Sequence, residues 1–252
     1  LDAALNSDMP EIDEASAPER RPIRSFVRRE GRLTPAQKDA LERLWSRYGL
    51  DAPPQPLDGQ ATFGREAPLT LEIGFGAGHH LLARAAAEPE RDFVGVEVHR
   101  PGVGRVLAQA EAAGLDNLRI ACFDAVEVLR DWIAPLALDE LVIEFPDPWH
   151  KKRHHKRRLI QPDFVKLAVS RLRCGGHLRL ATDWAHYAAQ MLDVLTAEAT
   201  LRNTAKGYAA RPASRPVTRF EARGERLGHE VFDLDFIKLE DASALAGSRL
   251  PE

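Results

Sequence analysis

The residues in this chain whose types and spacing suit chemistry are a glycine run, a few isolated acids and a dense basic block. Leu71-Glu72-Ile73-Gly74-Phe75-Gly76-Ala77-Gly78 joins an apolar run to a helical pattern. In a doubly wound sheet that junction is where a nucleotide-like cofactor binds, because glycines let the backbone turn sharply and come close to a ligand. Such turns also occur without a ligand, so the glycines alone leave both readings open. Gly74, Gly76 and Gly78 are spaced Gly-x-Gly-x-Gly, not Gly-x-Gly-x-x-Gly as in dinucleotide folds. A carboxylate beside the loop, at Glu72, would repel a pyrophosphate but suits a cofactor carrying an ammonium and a sulfonium. The expected cofactor is therefore S-adenosyl-L-methionine.

Two more acids fall where such a cofactor would be held. Glu97 lies near the end of a second apolar strand, about 20 residues past the loop, where a carboxylate commonly accepts hydrogen bonds from ribose hydroxyls. Asp124 follows a third strand and has two readings of equal weight: it reaches the adenine amine, or it caps the next helix. With Glu72, they put three acids at the carboxyl edge of one sheet.

The fourth strand, Leu141-Val142-Ile143-Glu144-Phe145, is apolar but for one acid and runs into Pro146-Asp147-Pro148-Trp149. Two prolines stiffen this loop and hold Asp147 close to where the cofactor's methyl group is expected. The alternative is a plain turn in which Asp147 bonds its own backbone. Lys151, Lys152, Arg153, His154, His155, Lys156, Arg157 and Arg158 follow after His150 with no break. Charge runs are usually solvated surface, but this one abuts the predicted active edge, which makes sense if the substrate carries phosphates, as RNA does. A second basic stretch, Arg20, Arg21, Arg24, Arg28, Arg29 and Arg32, reads equally as a contact surface or as an unstructured arm. Trp149, Tyr208 and Phe220 are candidates to stack on an extruded base, whereas Trp184 reads as the start of a packed helix.

These residues need a parallel sheet to position them, and the alternation of patterns supplies one. Strands are expected at Leu69 to Ile73, Asp92 to Val98, Asn117 to Cys122, Glu140 to Phe145 and His177 to Ala181. Between them, helical patterns span His79 to Glu88, Pro101 to Ala113, Val126 to Trp132 and Pro162 to Leu172, and another covers Trp184 to Ala197. Thr34 and Pro35 open an earlier helix that ends at Gly49, and Glu230 to Leu239 reads as a closing edge strand. The predicted fold is an α/β, doubly wound, mostly parallel sheet of the class I S-adenosylmethionine-dependent methyltransferase (Rossmann-like) type. Residues 1–19 read as a disordered acidic tail, 20–33 as a basic arm, 34–240 as one domain and 241–252 as a C-terminal tail.

With 252 residues, 44% hydrophobic and 29% charged, the chain has enough material for one substantial core. A net charge of -3 hides the segregation of an acidic start from two basic patches. No apolar stretch reaches membrane-spanning length and no signal pattern opens the chain, so a cytoplasmic location and no membrane partner are expected. Cys122 and Cys174 match no metal spacing and are expected to be buried, reduced thiols, with no metal bound. Either a monomer or a homodimer is compatible with these features.

At this point the sequence resembles the bacterial tRNA (guanine-N7-)-methyltransferase family. The resemblance runs from about Arg20 to Leu239. It rests on Arg24-Ser25-Phe26-Val27-Arg28-Arg29, the glycine loop, Gly95-Val96-Glu97-Val98-His99, Phe145-Pro146-Asp147-Pro148-Trp149-His150-Lys151-Lys152-Arg153-His154, Thr182-Asp183-Trp184, Thr218-Arg219-Phe220-Glu221 and Arg226-Leu227-Gly228-His229. It implies methyl transfer from S-adenosyl-L-methionine to N7 of guanine 46 in the tRNA variable loop. It further implies that Glu72, Glu97, Asp124 and Asp147 contact the cofactor, that Lys151, Asp183 and Thr218 to Glu221 contact the substrate, and that Arg153 to Arg158 touch RNA. Arg219 stands where the family more often has Lys. Guanine N7 already presents a lone pair, so Asp147 is expected to position the base and stabilise developing charge and not to abstract a proton. A dehydrogenase would share the sheet but not the glycine spacing, Glu72 or the basic block, and a non-catalytic RNA-binding protein would need no cofactor pocket. The remaining alternative is a methyltransferase for a different RNA position.

Overall fold

A computed structural model describes residues 31–53, 55–216 and 230–240 together with Ser25 and Glu221. The chain begins there with α1 (Pro35–Tyr48), whose N-terminus is a capping box: Thr34 Oγ1 accepts from the Gln37 amide and Gln37 Oε1 accepts from the Thr34 amide. β1 (Gly49–Leu50) and the short α2 (Gly59–Phe63) follow. The chain then alternates through β2 (Leu69–Ile73), α3 (His79–Ala87), β3 (Asp92–Val96), α4 (Arg100–Ala112) and β4 (Leu118–Ala121). After α5 (Ala125–Glu127), which runs into a π-helical turn over Val128–Trp132, come β5 (Leu138–Glu144), α6 (Pro162–Arg171), β6 (Leu172–Thr182), α7 (Ala185–Thr196), β7 (Leu201–Asn203) and β8 (Phe232–Lys238).

The strands form one sheet in the order β1-β4-β3-β2-β5-β6-β8-β7, parallel except where β8 pairs with β6 and β7. β2 and β3 are almost wholly buried; β3 reads as a continuous apolar run after Asp92, whereas β2 alternates Leu69, Leu71 and Ile73 with Thr70 and Glu72, whose side chains are bound to Glu140 and His80. One core lies against α6 and α7, around Leu141, Ile143, Leu178 and Leu180. The other lies against α1, α3 and α4, around Leu81, Val106 and Ile120. The strand order reverses between β2 and β5, so a crevice opens there at the carboxyl ends, the place where doubly wound sheets bind ligands.

Two expectations need correction, and one short strand lies outside all of them. Glu230 to Leu239 does contain a strand, but β8 is the penultimate one and the three-residue β7 takes the edge. At the opposite edge, β1 is a two-residue pairing that no periodicity could announce. Cys174 is exposed and Cys122 half-buried, and neither is in a disulfide. Cys174 lies where β6 bends through Gly175 at φ 77°, away from the packed part of the strand. Among the described residues no helix is long and apolar enough to cross a membrane.

Candidate active site

The glycine loop leaves β2 with Gly74 at φ 75°, Gly76 at φ 54° and Gly78 at φ 76°, left-handed values that side chains other than glycine rarely adopt. Two contacts hold the loop in place. Glu97 Oε2 accepts from the Gly76 amide at 2.9 Å, while Glu97 Oε1 accepts from the Val98 and His99 amides at 2.8 and 2.9 Å. A Cβ on Gly102 of α4 would come within 2.4 Å of the Gly76 carbonyl, so that helix presses directly on the loop. Glu97 thus shapes the loop as well as facing the crevice.

The crevice holds a cavity of about 190 Å³. Ile73, Val96, Phe123, Ile143, Phe145 and Leu159 give it apolar walls, and Glu97, Glu144 and Asp147 give it acids. No lysine or arginine lines it among the described residues. Apolar walls accept an adenine ring and uncompensated carboxylates attract a cation, so this lining fits S-adenosyl-L-methionine and is unsuited to a pyrophosphate.

Asp147 lies at the cavity mouth with an exposed side chain, and its Oδ1 accepts from the Trp149 amide at 3.0 Å. The plain turn and the functional position therefore coexist. Phe145 at φ 49° and Trp149 at φ 44° bracket the two prolines, an uncommon left-handed pair for bulky residues. The loop is held from both sides: Trp149 Nε1 donates to the Ser25 carbonyl at 3.1 Å, and Arg158 Nε donates to the Pro148 carbonyl at 2.8 Å.

Glu72 stands behind the loop, 3% exposed, with Oε2 2.7 Å from His80 Nδ1. The other ring nitrogen, Nε2, lies 3.6 Å from Glu144 Oε1. Burial opposes a charge on His80, but the bond and charge of Glu72 and the charge of Glu144 outweigh it and raise its pKa. Glu144 is pushed up to about 7, chiefly by burial. Sequence reasoning missed His80. The available signal was that lone acids in two neighbouring apolar strands need a cationic partner, and a histidine opens the helix between them.

Asp124 Oδ1 accepts from the Val126 amide at 2.9 Å, which makes it the cap of α5; its neighbours Phe123 and Ala125 line the cavity, and Asp124 itself does not. Asp183 is exposed just beyond β6. Trp184 caps α7 but is 39% exposed, edge-on to His150 at 4.3 Å between centroids, so the packed position expected for it is not the one it takes. Tyr208, equally exposed, lies against Phe232.

The basic block forms a short 3-10 helix, Lys152–Arg157, directly after the loop. Lys151, Lys152, Arg153 and Lys156 are exposed, whereas His154, His155 and Arg157 are partly covered, Arg157 lying over the Trp149 ring at 5.0 Å. Arg158 departs from the expectation of an RNA contact, being 2% exposed beneath the loop. Its guanidinium also donates to Gln190 Oε1 at 2.5 Å and covers the Tyr187 ring at 4.6 Å. Glu221 is likewise buried, its carboxylate 2.8 Å from Arg215 Nη1. Thr218, Arg219 and Phe220, like the acidic tail, the C-terminal tail and most of the basic arm, lie outside the described residues.

A class I methyltransferase fold with an acid-lined cavity at its switch point is what the chain's architecture and crevice define. The 16S rRNA methyltransferase KamB superposes with a TM-score of 0.52 at 18% identity, covering 84% of this chain and 97% of that one. The antibiotic-resistance methyltransferase Kmr superposes with a TM-score of 0.51 at 16% identity, covering 73% and 93%. Residues 66–234 match the family model described as "Putative methyltransferase" (Methyltransf_4). The tRNA (guanine-N(7)-)-methyltransferase of Yersinia enterocolitica is 53% identical over 92% of this chain and 97% of its own length. That of Paraburkholderia xenovorans is 57% identical over 87% and 84%. The chain belongs to the tRNA (guanine-N7-)-methyltransferase family.

Proposed function

We propose that this protein transfers a methyl group from S-adenosyl-L-methionine to N7 of guanine 46 in the variable loop of tRNA. The observation that carries this reading is the cavity lined by carboxylates and apolar side chains, with no lysine or arginine among the described residues that line it, beside an exposed block of lysine and arginine. The first suits a cationic cofactor and the second a polyanion. When bound, the cofactor supplies an electrophilic methyl on a sulfonium.

The chain's residues do the rest. Glu97 keeps the glycine loop in the shape that admits the cofactor, and Ile73, Val96 and Phe123 exclude water from the adenine side. Asp147, fixed by its own turn between two prolines, orients the incoming guanine and stabilises the positive charge that develops on the purine. Lys151 and Asp183 contact the substrate, together with Thr218, Arg219 and Phe220, while Glu221 stays bound to Arg215. Lys152, Arg153 and Lys156 grip phosphates, with His154 and His155 beside them. No proton leaves N7, so no general base is required.

Incubating labelled cofactor with total tRNA and digesting the product to nucleosides should give 7-methylguanosine; a different methylated nucleoside would overturn the acceptor assignment. Single-turnover transfer should also follow no ionisation attributable to proton abstraction. A rate that required one to form a base would refute the role given to Asp147.

A further inference from the structure

Glu144 is the one acid inside the apolar β5 strand end, and the transfer reaction described above makes no use of it. Glu144 lines the cofactor cavity and also a second cavity, of about 240 Å³, which it shares with His80 and Arg84 of α3. Among the described residues its sole ion-pair contact is His80 Nε2 at 3.6 Å, beyond hydrogen-bond range. His80 is already bound through Nδ1 to Glu72. One imidazolium therefore serves two carboxylates, and the cluster is one positive charge short.

The neighbouring arginines cannot make up the difference because each is committed elsewhere. Arg84 from α3 is held by Glu88 and Glu140, and Arg179 from β6 by Glu140 and Asp235. Arg215 is held by Glu221 and Asp233, the latter from β8. Glu72 on β2 and Asp233 both add negative charge around Glu144, while His80 and Arg215 oppose it. The missing cation must be a proton or a charge brought into the cofactor cavity.

The methyl donor brings such a charge, and the spent cofactor does not. Donor and product share the ammonium and the carboxylate, but loss of the methyl turns the sulfonium into a neutral thioether. We propose that Glu144 makes the cavity selective for the sulfonium cofactor over its thioether product, accepting the sulfonium as the cation its cluster lacks and releasing a proton to solvent as it does so. After transfer, Glu144 takes a proton back from solvent and its hold on the product weakens. This inference rests on the reading of the cavity as the S-adenosyl-L-methionine site.

The test is calorimetric titration of the full chain with S-adenosylmethionine and S-adenosylhomocysteine between pH 5.5 and 7, below the range in which the ligands' own amino groups titrate. Two buffers of different ionisation enthalpy count the protons. Glu144 is pushed up to about 7 in the free protein, and a cation beside a carboxyl typically lowers its pKa by about 1 to 3, so donor affinity should rise roughly four- to fifteenfold across that window while product affinity stays level. A fraction of a proton, about 0.4 to 0.9, should leave per donor bound near pH 6. In Glu144→Gln the donor should lose this pH dependence and its advantage over the product at pH 7. Parallel pH profiles for the two ligands, or donor binding without proton release, would overturn the proposal. Binding of neither ligand would overturn the reading of the cavity itself.

Discussion

Arg158 is the residue on which the sequence pattern and the folded chain disagree most, and replacing it with lysine decides between them. The guanidinium makes charged hydrogen bonds to the Pro148 carbonyl at 2.8 Å and to Gln190 Oε1 at 2.5 Å, with His186 Nδ1 at 3.1 Å from the same Nη1. A lysine ammonium is a point donor on a flexible stem and cannot span the Pro148 and Gln190 acceptors in a fork. Losing one or two bonds of about 1.5 to 3 kcal/mol each, in a site only 2% exposed, gives a destabilisation of about 3 kcal/mol. For a domain of this size, that lowers the melting temperature by about 6 to 12 °C. Because Arg158 lies beneath the loop, even the charge-removing Arg158→Gln should leave the slope of the salt dependence of tRNA binding unchanged. Lys152→Gln or Arg153→Gln should instead reduce that slope by about 0.7 to 0.9 and leave the melting temperature nearly unchanged. Thermal unfolding and filter-binding titrations from low to moderate salt make both measurements. An Arg158→Lys protein that melts like the parent, or an Arg158→Gln protein that shows the shallower slope, would refute this account and restore Arg158 to the RNA surface.

Other outcomes follow from the same geometry. Glu97→Gln keeps the shape but turns one of two accepting oxygens into a donor facing backbone amides, at a cost of about 1 to 3 kcal/mol, so cofactor affinity measured by calorimetry should fall by about tenfold or more. A loss of under twofold would show that the loop holds its shape without Glu97. Gly102→Ala puts a methyl where the Gly76 carbonyl stands, 2.4 Å away, and should weaken the cofactor at least as much; unaltered binding would mean α4 can slide. Burial and then neighbouring arginines lower the pKa of His154 and His155. Phosphates would raise both, so tRNA binding should take up protons and be several-fold tighter at pH 6 than at pH 8 at fixed salt. A double His154→Gln, His155→Gln variant that keeps the whole pH dependence would count against that assignment.

Much of the scaffold was legible because burial writes itself plainly into strands such as Asp92–Val96, buried on both faces, and into capped helices such as Pro35–Tyr48. Pairings of two and three residues, Gly49–Leu50 and Leu201–Asn203, leave no periodicity to read. α2 hides in a turn-rich stretch, although Asp58 caps its start and Gly64, at φ 76°, ends it; those two signals are five residues of helix apart, too few to outweigh the flanking prolines. In the site, the acids Glu97 and Asp147 were legible because only a narrow set of positions at a strand's carboxyl end faces the crevice. The burial of Arg158 was not, since nothing in a run of lysines and arginines marks the one whose guanidinium turns inward over Tyr187. His80 escaped for a different reason: it is one of two adjacent histidines, and its two partners lie on different strands.

The left-handed pair Phe145 and Trp149, with its two prolines between, also bears on timing. A segment so constrained adopts its shape once, while the domain folds, and has no slow rearrangement left to make when ligands arrive. Cofactor capture should then proceed in a single kinetic phase, with a rate that rises linearly with cofactor concentration and depends on temperature little more than diffusion does. The slow events of the catalytic cycle move elsewhere, to the seating of a large nucleic acid and its departure.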